Sequence, residues 1–216
     1  MRIVSILLLA MFVAACSDEP EYSKITGSTM GTTYSVILES SSVSPQEIYN
    51  DIEAELKDIN QLMSTYIPDS EINRFNQLQS DSCFRFSDKT WQVLLAAKQV
   101  YNETDGAFDI TLGPLISRWG FDAEEYDEKV PTNTEIQQLL SEVGTDKLNY
   151  DLANQCISKS LPQITINLSA IAKGYGVDRV ATIVEEHGVT NYLVEIGGET
   201  KGKGVNPNNS IWRIAI

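Results

Sequence analysis

The sequence predicts an α+β fold: antiparallel strands and hairpins with amphipathic helices packed on them, not a doubly wound Rossmann sheet. Three observations lead there. Apolar residues alternate with polar ones in short runs that follow one another as hairpins do. Between those runs lie stripes of period 3.6, the mark of helices with one buried face. No GxGxxG follows any strand, so the dinucleotide fingerprint of a parallel sheet is missing.

Residues 1–16 stand outside that fold. Met1 and Arg2 form a short positive start, and residues 3–15 are apolar but for Ser5. That run is too short to cross a bilayer comfortably. Its end, Val13-Ala14-Ala15-Cys16, reads as a lipoprotein signal in which Cys16 becomes the acylated N-terminus. The expectation is a bacterial envelope protein, lipid-anchored on the periplasmic side, with inner or outer membrane left open. Residues 17–216 then form the folded domain. Removing the leader takes away one arginine from 16 basic residues and none of the 30 acids, leaving a net charge of about −15. Such a surface repels nucleic acid and anionic lipid heads, so the membrane is reached only through acyl chains. Cys83 and Cys156 remain, and an oxidising compartment allows a disulfide between them without requiring it.

Residues 24–28 and 33–38 read as a hairpin with Thr29-Met30-Gly31-Thr32 at the turn. Met30 there either folds back on the core or meets a flat ligand ring. Ser44-Pro45-Gln46-Glu47 reads as a capping box, opening a helix with Ile48, Ile52, Leu56, Ile59 and Met63 on one stripe. Pro68 ends that helix region and Ser70 caps a short one through Phe75. Tyr66, in the loop between, is an ordinary half-buried tyrosine unless a ligand claims it. A strand near residues 83–86 leads to a helix capped by Ser87 and carrying Trp91, Leu94, Leu95, Ala97 and Tyr101. In residues 104–115, Asp109 sits between Phe108 and Ile110, and a carboxylate so placed needs a partner. A sugar hydroxyl, a ring N–H or a backbone amide would serve. Residues 122–129 read as a solvated acidic loop. A helix then begins at Thr132 or Thr134 and stops at Gly144. Residues 148–168 alternate as two or three short strands.

The unusual stretch is Asn167 to Val180, placed between an expected strand at residues 163–168 and a helix with Val177, Val180, Ala181 and Val184 on one face. A helix start leaves backbone N–H groups without intrahelical partners and carries partial positive charge. Lys173 adds a full charge, and Gly174 and Gly176 allow close approach. That suits a phosphate or diphosphate, although strand–Gly–helix junctions also serve plain packing. His187-Gly188 reads as the helix end, residues 191–196 as a strand, and residues 211–216 as another strand within which the chain stops.

TMGTTY (29–34), MSTYIPDSEINRFN (63–76), GAFDITLGPL with WGF (106–121), NLSAIAKGYGVD (167–178) and VEIGGE (194–199) stand in an order that resembles the ApbE family of FAD:protein FMN transferases. The resemblance covers nearly all of the chain after the leader. It implies a T-fold-like antiparallel sheet with packed helices. It also implies transfer of the FMN half of FAD, with Mg²⁺, onto a Thr or Ser hydroxyl of a flavin-accepting protein such as a membrane electron-transport subunit, with AMP released. FAD hydrolysis to FMN and AMP, or flavin binding without catalysis, are the alternatives it leaves. Carried over, Met30, Tyr66, Ala107, Phe108, Asp109, Asn167 and Lys173 would contact FAD, and the carbonyl of Ala170 would be one metal ligand. Asn167 departs from the Asp most often found there. The family's other metal ligands and a histidine-bearing segment would follow residue 216, so this chain looks like the N-terminal two-thirds of a transferase, expected to be inactive or nearly so alone.

Overall fold

The computed structural model describes residues 20–40, 43–79, 81–121 and 129–215. The leader with Cys16, and nearly all of the acidic loop, lie outside the described residues. The hairpin is formed by β1 (Tyr22–Thr29) and β2 (Thr32–Glu39), paired in register from Tyr22↔Glu39 to Thr29↔Thr32. Its two-residue turn places Met30 at φ 50° and Gly31 at φ 72°. Both left-handed residues match the twist of the flanking strands, but Met30 holds a conformation that L side chains rarely adopt. β2 pairs onward with β6 (Tyr192–Ile196), and β6 with β7 (Glu199–Lys203), giving an antiparallel sheet of order β1-β2-β6-β7. Period two sends Tyr34, Val36 and Leu38, with Tyr192, Val194 and Ile196, to the buried face.

Two helices cover that face. α1 (Pro45–Met63) buries Ile48, Ile52 and Leu56 against the sheet, while Ile59 and Met63 continue the stripe into a second core. Ser44 stands at its N-cap without a side-chain bond, so the expected capping box is not made there; the Ser44 carbonyl accepts the Glu47 N–H instead. α6 (Ala172–Glu186) buries Val177, Val180, Ala181 and Val184, as its spacing predicts. It ends at His187, with Gly188 at φ 82° and the imidazole Nε2 2.7 Å from Asp51 Oδ2.

The second core is built by α2 (Glu71–Asn76), α3 (Asp88–Glu103) and a small antiparallel sheet of order β3-β5-β4, comprising Phe84–Arg85, Cys156–Lys159 and Leu148–Asp151. The Ser70 side chain caps α2 by accepting the Asn73 N–H. Ser87 does not cap α3 with its side chain; its N–H and hydroxyl both donate to the buried Glu71 carboxylate. Cys83 and Cys156 are disulfide-bonded across this sheet, with Cα atoms 5.4 Å apart. A helix not foreseen in the sequence, α4 (Gly113–Arg118), follows the Asp109 stretch. α5 (Asn133–Leu140) opens with a complete Thr132–Glu135 capping box.

Two expected strands are absent. Residues 163–168 bury Ile164, Ile166, Asn167 and Leu168 and are hydrogen-bonded, but join no sheet. Asn76 takes the Ile166 N–H on Oδ1 at 2.7 Å and donates Nδ2 to the Ile166 carbonyl at 2.9 Å, and Asn167 N–H goes to the Ile110 carbonyl. A side-chain amide thus satisfies the backbone that a neighbouring strand would otherwise pair with. Near the end, Asn206 Oδ1 gathers the N–H groups of Asn208 and Ser210 into a curled loop, and only an isolated bridge, Val205↔Ile211, follows.

Candidate functional site

The two cores meet at a cleft of about 570 Å³. Three segments wall it: the Met30-Gly31 turn, the end of α1 with the loop through Ile67, and the entry to α6 from Ser169 to Lys173. Met30, Tyr66 and Lys173, far apart in sequence, line the same space. Met30 packs against both cores and against the bare Gly176, where an added Cβ would lie 3.1 Å from its Cε. It therefore folds back and faces the cleft at once. Tyr66 is 61% exposed. Beside it the Thr65 hydroxyl is buried without a hydrogen-bond partner, a cost normally met by a ligand or water.

The opposite wall is electropositive in its backbone. The N–H groups of Ile171 and Ala172 close back on the Leu168 carbonyl and that of Ser169 on Asn167 Oδ1, whereas those of Lys173 and Gly174 find no acceptor among the described residues. Lys173 Nζ lies 2.9 Å from Glu199 Oε1, so its charge is oriented by the β6–β7 turn. The other oxygen of Glu199 is buried and unpartnered.

The remaining site residues of the sequence reading do not line this cleft. Asn167 is 5% exposed and its Oδ1 is committed to the turn that presents Ser169 and Ala170. Ala170 is exposed, and its carbonyl accepts no hydrogen bond from the described residues. Ala107 is exposed, and Phe108 packs on the second core. Asp109 is fully occupied within the chain, its Oδ1 accepting from Thr111 N (2.8 Å), Thr111 Oγ1 (2.6 Å) and Thr145 Oγ1 (2.8 Å), its Oδ2 from Thr145 N (3.1 Å). Backbone amides are thus among its partners, joined by two threonine hydroxyls that the sequence reading did not foresee. The Asp109 stretch is tied to the cleft wall by the Ile110 carbonyl, which accepts the Asn167 N–H.

As to a cation, the one grouping of three potential ligands among the described residues is Cys83, Asp151 and Cys156, and its sulfurs are already bonded to each other. The free Ala170 carbonyl fits one oxygen ligand, where Mg²⁺ takes about six in octahedral array, with phosphate and water as ordinary complements. Sequence reasoning passed over Thr65, Ser169 and Glu199. The polar run Ser64-Thr65 before Tyr66 was the one visible signal for the first.

The chain is similar to known proteins along nearly its whole length. The family model described as "ApbE family" matches residues 30–216. The FAD:protein FMN transferase of Haemophilus influenzae is 42% identical over 214 residues, 96% of this chain and 62% of its own length. That of Vibrio cholerae is 39% identical over 216 residues, 99% and 63%. The solved flavin transferase ApbE from Vibrio cholerae superposes with a TM-score of 0.87, covering 91% of this chain and 64% of that one. The Pseudomonas stutzeri flavinyl transferase ApbE, 36% identical, gives 0.85 over 92% and 66%. The chain thus spans less than two-thirds of the curated relatives it matches.

Proposed function

We propose, from the premise that the chain belongs to the ApbE family, that it provides the flavin-nucleotide site of an FAD:protein FMN transferase. One observation carries the reading. A single cleft sets a thioether and an exposed aromatic ring on one side against a lysine and its own unpaired helix-start N–H on the other. Met30 and Tyr66 suit a planar ring, and the α6 entry suits a diphosphate.

In the reaction, a Ser or Thr hydroxyl of the acceptor protein forms a P–O bond to the flavin-side phosphorus. The bond from that phosphorus to the bridging oxygen breaks, AMP leaves with the oxygen, and the hydroxyl proton passes to solvent or base. This chemistry asks mainly for positioning and for neutralisation of phosphate charge. Lys173, held by Glu199, and the Lys173 amide supply part of the latter. Tyr66 and Met30 position the ring, and Asn167 with Asp109 hold the surrounding loops. Ala170 would contribute its carbonyl to Mg²⁺, which when bound supplies further charge neutralisation. The acceptor is a protein, of the kind found among membrane electron-transport subunits, and acylation of Cys16 would hold the enzyme at the periplasmic face of the envelope.

The test is FAD titration of the chain and of Lys173→Ala. Loss of the lysine weakens FAD binding by about tenfold, the scale of one charge-assisted contact. Unchanged affinity would remove the phosphate assignment. Incubation with FAD and Mg²⁺, with and without an acceptor domain, then separates transfer from hydrolysis: AMP formed without acceptor marks the latter. FAD bound with an affinity indifferent to EDTA, and no AMP in either case, marks binding alone.

A further inference from the structure

The three walls of the cleft come from segments remote in sequence, yet each is gripped by an asparagine of the α1–α2 corner. Asn60 Nδ2 donates to Thr29 Oγ1 at 2.8 Å, next to Met30. Asn73 Nδ2 donates to the carbonyls of Thr65 (2.8 Å) and Ile67 (2.9 Å), the residues on either side of Tyr66. Asn76 clamps both backbone groups of Ile166, immediately before Asn167. Below Asn76, the buried Lys159 ammonium donates to the carbonyls of Asn76, Leu78 and Pro162, fastening the end of α2 to the start of the same loop.

From this geometry we infer that Asn73 and Asn76 are positioning residues: α2 acts as a rule whose two asparagines set the distance between Tyr66 and the 167–170 turn. The helix is short and rigidly ended, by the Ser70 cap on one side and Lys159 on the other. Asn73 and Asn76 stand three residues apart, so both project from one side of it. At Asn76 the side-chain amide offers a donor and an acceptor on separate atoms, matched to the C=O and N–H of one residue, while staying neutral beside a phosphate site. Asp would keep the shape, lose the donor and set a carboxylate against a carbonyl oxygen. Lysine or serine would lose the paired geometry at Ile166.

The inference rests on the flavin reading for its consequence but not for its existence, and the experiment separates the two. FAD affinity is measured for N73D and N76D, each alone and in a Tyr66→Ala background, and amide exchange at Ile166 is followed by NMR in the parent and in Asn76→Ala. Acting through Tyr66, N73D raises the Kd about tenfold in the parent and less than about twofold once the ring is gone. N76D, which loses the donor to the Ile166 carbonyl but keeps the acceptor, raises the Kd by a similar factor in both backgrounds. Asn76→Ala removes the acceptor of the Ile166 N–H as well and speeds its exchange by about a hundredfold, while the amides of β2 keep their protection. Equal N73D effects with and without Tyr66, or an Ile166 amide still protected in Asn76→Ala, would overturn the assignment. Where Asn76→Ala does not fold, Asn76→Ser, too short to reach both Ile166 groups, is judged by the same amide. If the parent binds no FAD, the functional reading falls, and the exchange rate alone decides on the clamp.

Discussion

Replacing Asp109 by Asn separates a residue that holds the fold from one that holds a ligand. In the structure the carboxylate joins the loop before α4 to the turn at Gly144-Thr145, and both threonines it serves are buried, Thr111 at 0% and Thr145 at 4% exposure. Thr111 Oγ1 in turn accepts the Gly144 N–H at 2.7 Å, where φ is 141°. An asparagine can keep its oxygen at the three-bond Oδ1 position. Its Nδ2 then faces the Thr145 N–H, donor against donor. One bond is lost with a desolvated N–H left behind, and the other three fall from charge-assisted to neutral strength. The net cost is about 2–4 kcal/mol. In a domain near 200 residues, each kcal/mol moves the midpoint about 2–4 °C, so Tm drops on the order of 10 °C. Calorimetry reads this directly, and FAD titration below the new midpoint reads the site. An unchanged Tm with FAD affinity lost would refute the staple and return Asp109 to the ligand.

Three further outcomes follow from other parts of the molecule. Opening the Cys83–Cys156 bond, which closes a loop of 73 residues, costs about 4 kcal/mol through unfolded-chain entropy; urea titration of C83S/C156S shows it as a lower midpoint with a raised m, since the unbridged chain exposes more surface when unfolded. Burial alone would raise the Glu55 pKa, but hydrogen bonds from Lys89 and Arg179, joined by their charges, outweigh it and hold it below the ordinary 4.5. The unfolded chain therefore takes up this proton first as pH falls, so stability from the Lys89–Glu55–Arg179 tie is complete above about pH 4.5 and lost below it. E55Q flattens that acid limb; an unchanged limb would exclude Glu55 as its source. Gly176→Ala gains about 1 kcal/mol of helix propensity, yet its Cβ meets Met30 Cε at 3.1 Å and pushes the thioether toward the cleft. Melting is nearly unaffected while FAD binding weakens severalfold, and unaltered binding would show that Met30 is not a wall.

What could be read from the sequence was what local chemistry decides. Met30-Gly31 closes the hairpin because two left-handed residues fit that turn, and Ser70 and Thr132 cap because an acceptor stands three residues before an unpaired N–H. Ser44 and Ser87 carry the same signal and make no side-chain cap, since the Ser87 hydroxyl is drawn to Glu71, a partner 16 residues away. Residues 163–168 alternate like a strand, but their backbone is satisfied by Asn76, 90 residues distant from Ile166. Asp109 shows the same limit: its partners at Thr145 lie 36 residues on. For the site, Met30, Tyr66 and Lys173 were legible as odd residues in odd places. That they share one cleft depends on α1 and α6 crossing the seam between two cores, and no local pattern states that.

The charge of the cleft follows from the same framing. The chain carries 30 acids against 16 bases, so a randomly chosen patch of its surface repels a nucleotide diphosphate. The residues lining the cleft include one lysine and no acid. Its loops are nevertheless tied down as tightly as carboxylates and lysines tie α1, α3 and α6 elsewhere, where Glu55 and Asp58 meet Lys89 and Arg179. The difference lies in the tying groups: Asn60, Asn73, Asn76 and Asn167 do around the cleft with neutral amides what ion pairs do a few turns away. A carboxylate at Asn60 or Asn73 would lose the donor and face an oxygen, and at any of the four it would add negative charge beside a lysine that Glu199 already holds. Neutral clamps add no charge, so the unpaired helix-start N–H and the Glu199-held lysine remain the local field offered to an anion.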